Sequence, residues 1–178
     1  MVKCIFWDRD GVINELVYHD GIYTAPWKAE EFKFTKNIKE AIVKVKNLGY
    51  MNFIVTNQPD VLDGNLKLKQ LQIMHNMIQK WLGFDEILFE MNRNSMNYKP
   101  NNGMVEKLIS KYDIDRNQSY LIGDRWKDIV CGYKSNLNTI FIGSKYKSPK
   151  EYNNIKPNHI VSSPLEASYL IEEISIYG

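Results

Sequence analysis

Two kinds of apolar pattern alternate along the chain. Short continuous runs over residues 2–7, 52–55, 86–89, 120–122 and 139–142 have the length of buried strands. Between them lie stretches in which apolar residues recur every three or four positions, the mark of a helix with one buried face. Ile38, Ala41, Ile42, Val45 and Leu48 form one such stripe, stopped by Gly49, a residue suited to the left-handed turn that closes a helix. Leu68, Leu71, Met74, Ile78 and Leu82 form another, stopped by Gly83; His75 and Met77 on it read as surface and core rather than as ligands. Met104, Val105, Leu108 and Ile109 mark a third helix, and a fourth carries Asp128. Past Lys145 a polar linker leads to His159-Ile160-Val161. Ser163-Pro164-Leu165-Glu166 then has capping-box spacing with proline in the first turn, and opens a helix that ends near Tyr177. Strands alternating with helices predict an α/β domain with a mainly parallel sheet covered on both faces.

One segment breaks the rhythm. Residues 15–34 are polar and aromatic, with Tyr18, His19, Tyr23, Pro26 and Trp27, and show no clear period. A connection this long is commonly functional. Its place after the first strand makes it the expected specificity wall or lid, against the plainer reading of a surface loop anchored by its aromatics. Polar groups also collect at the ends of the strand-like runs. Asp8-Arg9-Asp10-Gly11 closes the first, Thr56-Asn57-Gln58 follows the second, Gly123-Asp124-Arg125 follows residues 120–122, and Lys99-Pro100 precedes a helix. In an open α/β sheet, ligands bind in the crevice beyond the carboxyl ends of the strands. A lone Asp-x-Asp is usually a solvated strand end; an ordered set of four polar signals is not.

That ordered set resembles the haloacid dehalogenase superfamily of phosphatases, and within it the small-cap branch holding heptose bisphosphate and histidinol-phosphate phosphatases. Asp8 to Asn14 matches the first motif, Thr56-Asn57-Gln58-Pro59 the second, Lys99-Pro100 with Gly103-Met104 the third, and Gly123-Asp124-Arg125 with Asp128-Ile129 the fourth. The resemblance implies a three-layer Rossmann-like fold with the first strand central and no large cap domain, since neither interval between motifs can hold one. Residues 1–178 are then one phosphatase domain. It implies Asp8 as nucleophile and Asp10 as general acid and base. Thr56 and Lys99 complete the catalytic set, and Mg²⁺ is held by Asp8, the Asp10 carbonyl and Asp124. Asn57, Gln58 and Arg125 are implied at the substrate, with Asp128 in support.

The chemistry is consistent with these residue types. An aspartate with an ordinary pKa of about 3.9 is ionised at neutral pH and needs no base to activate it. Its obstacle is repulsion: two unit charges 4 Å apart at an effective dielectric near 20 interact by roughly 4 kcal/mol, and a phosphate dianion doubles that. A divalent cation that favours oxygen ligands and a buried lysine would supply the missing positive charge.

Composition narrows the partners. The net charge of +2 over 178 residues gives no case for nucleic acid or a membrane surface, which disfavours a polynucleotide 3′-phosphatase, a relative expected to carry a basic groove. Cys4 and Cys131 lie in an apolar run and a helix, so both are expected as buried thiols. No apolar run approaches a membrane span and no signal-peptide pattern opens the chain, so a cytoplasmic monomer or weak homodimer is expected. A receiver-like phospho-acceptor module would share the acidic pocket, Thr and Lys, but has no need of Asp10.

Two departures from the branch bear on the ligand. Residues 89–98 contain neither Cys nor His, so the zinc loop common in the branch cannot form and no zinc is expected. Tyr98 stands where relatives place arginine, and Leu62-Asp63-Gly64 where they carry Ala-Arg-Gly. Fewer cations weaken the case for a bisphosphate and leave a small phosphorylated sugar, mono- or bisphosphate, as the expected substrate.

Overall fold

In a computed structural model describing residues 1–178, the first apolar run becomes β1 (Cys4–Trp7), a strand buried along its whole length. A hairpin of β2 (Val17–His19) and β3 (Ile22–Thr24) follows, then α1 (Ile38–Asn47), β4 (Met51–Asn57), α2 (Leu68–Leu82) and β5 (Glu86–Glu90). The second half runs α3 (Gly103–Tyr112), β6 (Tyr120–Gly123), α4 (Trp126–Lys134), β7 (Asn138–Ile142), β8 (His159–Val161) and α5 (Pro164–Tyr177). Residues 159–161, to which the polar linker leads, form the edge strand β8.

The main sheet has six parallel strands in the order β5-β4-β1-β6-β7-β8. The chain builds outward from β1 on one side, returns, and builds outward on the other. β1 is therefore the switch point, and the crevice opens beyond its carboxyl end. Side chains alternate across the sheet. Ile5 and Trp7 pack with Ile42, Met74 and Ile171, so α1, α2 and α5 cover one face. Cys4 and Phe6 pack with Val105, Leu108 and Cys131, so α3 and α4 cover the other. Both thiols are buried and unpaired. No helix is long and apolar enough to cross a membrane, and no large cap sits on the sheet.

The irregular reading of residues 15–34 needs correction. Asp20 and Gly21 both adopt positive φ, +46° and +94°, the two-residue turn that Asp-Gly favours between antiparallel strands. Each strand has only three residues, too few for alternation to show. The hairpin is pinned by His19, the residue before the turn, whose ring stacks on Trp27 at 3.7 Å between centroids and whose Nδ1 lies 2.6 Å from the Thr24 hydroxyl. At α5, Ser163 Oγ accepts from Glu166 N as expected, but the Glu166 carboxylate reaches back to Ser162 instead of Ser163.

Candidate active site

β1 hands over to a tight turn. The Arg9 carbonyl accepts from Ile13 N (2.8 Å) and Asn14 N (3.1 Å), folding the chain back on itself. Gly11 has φ +85°, and a β-carbon there would overlap the Asp124 carboxylate; one on Gly123 would overlap that of Asp128. Both glycines are thus what lets two acids approach the end of β1.

Four of the expected residues meet there. Lys99 Nζ donates to Asp8 Oδ1 at 2.8 Å and to Asp128 Oδ1 at 2.6 Å, and all three side chains are nearly inaccessible. Carboxylate oxygens of Asp8, Asp124 and Asp128 lie within 4.8 Å of one another. One ammonium thus faces three carboxylates. Burial, then the Asp128 charge, pushes the Asp8 carboxyl up to about 6. Burial, then Asp8 and Asp128, pushes Asp124 up to about 8. Burial opposes the charge on Lys99, yet the two aspartates raise its pKa above the ordinary lysine value. Asp124 Oδ1 is buried without a hydrogen-bond partner. An unpartnered oxygen among crowded carboxylates fits a hard divalent cation, whose charge and oxygen preference would satisfy both deficits.

This crowding has a measurable consequence. The folded protein holds a proton on Asp124 more tightly than the unfolded chain, whose carboxyl has its ordinary value near 3.8. The penalty is absent below that value and grows as pH rises towards about 8. Without divalent cation, the thermal midpoint should fall more steeply from pH 5 to pH 8 in the parent than in Asp124→Asn. Addition of MgCl₂ should flatten the parent's slope. Calorimetry in chelated buffer checks both.

The remaining expected residues divide. Asp10 lines the cleft, and its carboxylate accepts from Arg9, Asn14 and Gln58. Burial pushes it up, but Arg9 and the two amides outweigh burial and hold it below the usual carboxylate range. Asp128 serves two partners at once: Oδ1 takes Lys99 and Oδ2 takes the Arg125 backbone N–H at 3.1 Å, at the start of α4. Arg125 lines the cleft. Thr56 is buried and accepts from Gln58 Nε2 at 2.9 Å, which leaves its own hydroxyl hydrogen uncommitted.

Two placements differ from expectation. Gln58, expected at the substrate, is fully buried; its amide donates to Asp10 Oδ2 at 2.7 Å, behind the cleft wall. Asn57 does line the cleft, but both ends of its amide engage the Lys99 backbone. Nδ2 donates to Lys99 O at 2.8 Å, and Lys99 N donates to Oδ1 at 2.9 Å. No role was expected for Arg9 or Lys127, and His75, expected at the surface, is partly buried against Arg9. Arg9 is wholly buried and contacts His75, while Lys127 is half-buried in the cleft wall. No period or spacing signals any of the three. The hairpin completes the cleft, with Ile22, Tyr23, Thr24 and Ala25 opposite Tyr98, Arg125 and Lys127.

Comparison with known proteins agrees with this architecture. The family described as HAD-hydrolase-like matches residues 97–167. The D-glycero-alpha-D-manno-heptose-1,7-bisphosphate 7-phosphatase of Photorhabdus laumondii is 29% identical over 184 residues, covering 95% of this chain and 91% of its own. The D-glycero-beta-D-manno-heptose-1,7-bisphosphate 7-phosphatase of Helicobacter pylori is 28% identical, covering 84% and 90%. The fold is shared with the crystal structure of the D,D-heptose 1,7-bisphosphate phosphatase of B. bronchiseptica complexed with magnesium and phosphate. Its TM-score is 0.78 at 17% identity, over 97% of this chain and 99% of that one. The chain is thus similar to the HAD-hydrolase-like family over residues 97–167, and along most of its length to proteins named as heptose bisphosphate phosphatases.

Proposed function

We propose that the protein hydrolyses a small phosphorylated sugar through a phospho-aspartate on Asp8, with Mg²⁺ bound by the Asp8 and Asp124 carboxylates and the Asp10 carbonyl. The observation that carries this is the convergence of Asp8, Lys99, Asp124 and Asp128 beside Asp10 at the carboxyl end of β1. When bound, the cation supplies positive charge that lets a carboxylate approach a phosphate dianion. The chain's own groups do the rest. Lys99 orients Asp8 and adds a fixed charge that costs no reorganisation during the reaction. An Asp8 oxygen bonds to phosphorus as the bond to the sugar oxygen breaks, and Asp10, which must first take up a proton against the pull of Arg9 and the two amides, donates that proton to the departing oxygen. Asp10, now a carboxylate, then accepts a proton from water as the water oxygen attacks phosphorus and releases Asp8. Thr56 can donate its uncommitted hydroxyl hydrogen to a phosphate oxygen.

The cleft walls suit a polyol with an acidic group. Neither Arg125 nor Lys127 takes part in any ion pair of the structure. Burial, then the charges of Arg125 and Arg93, lowers the Lys127 pKa, the condition of a cation lacking an acidic partner. Two relatives named above act on heptose bisphosphates, and Arg125 with Lys127 can stand in for the arginines this chain lacks. Lys127→Ala should raise KM about five- to tenfold for a sugar bisphosphate and less than twofold for p-nitrophenyl phosphate, with kcat kept for both. Steady-state kinetics on the two substrates check this.

The decisive test is a panel of sugar mono- and bisphosphates with MgCl₂ and with EDTA. Magnesium-dependent release of phosphate from at least one sugar phosphate is expected. Absence of release across the panel, or release that persists undiminished in EDTA, would contradict the proposal.

A further inference from the structure

Arg9 separates the two aspartates of the first motif and has no part in the reaction just described, yet it is one of the largest side chains with no solvent exposure. A guanidinium removed from water costs several kcal/mol unless it is paired and hydrogen-bonded. Its partners are specific. Nε (3.1 Å) and Nη2 (2.8 Å) both donate to one oxygen of Asp10, Oδ1, instead of spanning the two. Nη1 lies 3.2 Å from Nε2 of His75 on α2. Arginine has no acceptor, so His75 Nε2 must offer its lone pair and the ring is neutral with its proton on Nδ1. Burial, then the Arg9 charge, pushes the imidazole down to about 3, which keeps it an acceptor. The ring is backed edge-on by Phe89, 5.5 Å between centroids.

The two oxygens of Asp10 are therefore unequal. Oδ1 accepts three hydrogen bonds, the third from Asn14 Nδ2 at 3.0 Å; Oδ2 accepts one, from Gln58 Nε2. Three donors crowd Oδ1 beyond the roughly two acceptor sites of a carboxylate oxygen, whereas Oδ2, with one donor, keeps about one site for the cleft that Asp10 lines.

We infer that Arg9, oriented by His75 and assisted by Asn14, is a positioning residue that fixes Oδ1 of Asp10 so that Oδ2 alone exchanges the proton with the leaving oxygen. This rests on the acid–base role proposed for Asp10. A contact that merely joined α2 to the end of β1 would cost stability and slow every substrate alike. A positioning contact is felt in proportion to how much the leaving group needs a proton.

The test compares phenyl phosphate with p-nitrophenyl phosphate, whose leaving phenol is much the stronger acid. Single-turnover release of the phenol is measured in MgCl₂ for the parent, His75→Leu and His75→Gln. Leucine removes the acceptor and keeps the packing, whereas glutamine can present Oε1 to Nη1. His75→Leu should slow phenol release about tenfold, a fraction of the 10²–10⁴ that acid catalysis contributes. It should change nitrophenol release less than twofold and leave KM for both unchanged, and glutamine should restore most of the loss. Equal slowing of both substrates, no slowing of either, or failure of glutamine to restore the rate overturns the inference. If His75→Leu does not fold, Asn14→Ser removes one bond to the same oxygen and carries the same comparison. Asp10→Asn separates the two ideas: full activity of that variant on phenyl phosphate defeats the acid–base role itself, whatever His75 does.

Discussion

Asp8→Asn should lower turnover of p-nitrophenyl phosphate by at least about 10⁴-fold while the protein folds as before, because the proposed covalent step would lose its nucleophile with no neighbour to take over. Asn57 and Gln58 are occupied with Lys99 and Asp10, and Asp128 is held by Lys99 and by the start of α4. The stability half of the expectation follows from the crowding. Burial and the Asp128 charge already disfavour an ionised Asp8, so a neutral amide of the same shape relieves repulsion. Lys99 meanwhile keeps its 2.6 Å bond to Asp128. The thermal midpoint without magnesium should be equal to or above that of the parent. Retained turnover, or a collapse of the midpoint, would show that Asp8 is structural.

Lys99→Met should do the reverse to stability and the same to activity. The ammonium is the only cation bonded to Asp8 and Asp128, and all three are buried. Removing one member of a buried ionic set strands the others, at a cost of about 3–5 kcal/mol. For a chain of this length that lowers the thermal midpoint by on the order of 10 °C. Because the deficit is one of positive charge, MgCl₂ should recover part of the loss in the variant and raise its midpoint more than the parent's. Thermal unfolding with and without MgCl₂ measures both. A variant as stable as the parent in chelated buffer would mean that the three carboxylates do not share one low-dielectric site.

What could be read in advance depended on whether a residue's task is written in spacing. The stripes of α1, α2 and α3 and the runs that became β1, β4 and β6 were legible because burial imposes a period on the sequence. The meeting of Asp8, Lys99, Asp124 and Asp128 was legible only through the order of the motifs, since no local pattern brings residues 8 and 99 together. The hairpin was missed although Asp20-Gly21 is a strong turn signal, because three-residue strands carry no alternation. Gln58 was placed at the substrate by the resemblance of the second motif; its amide instead donates to the buried carboxylate of Asp10. Arg9 lay between two acids, and nothing beside it in the sequence assigns it a task. Its burial depends on His75, far along the chain, and on a turn that folds it inward. Side-chain direction within an irregular turn is a tertiary property, and the sequence holds no period for it.

The double contact between the Asn57 amide and the Lys99 peptide group reproduces, with one side chain, the reciprocal exchange by which adjacent strands zip together. It grafts the backbone of Lys99 onto the tip of β4 irrespective of the ammonium's own ionic bonds. The peptide group of Lys99 therefore stays in register with the sheet even where its side chain is exchanged, as in Lys99→Met.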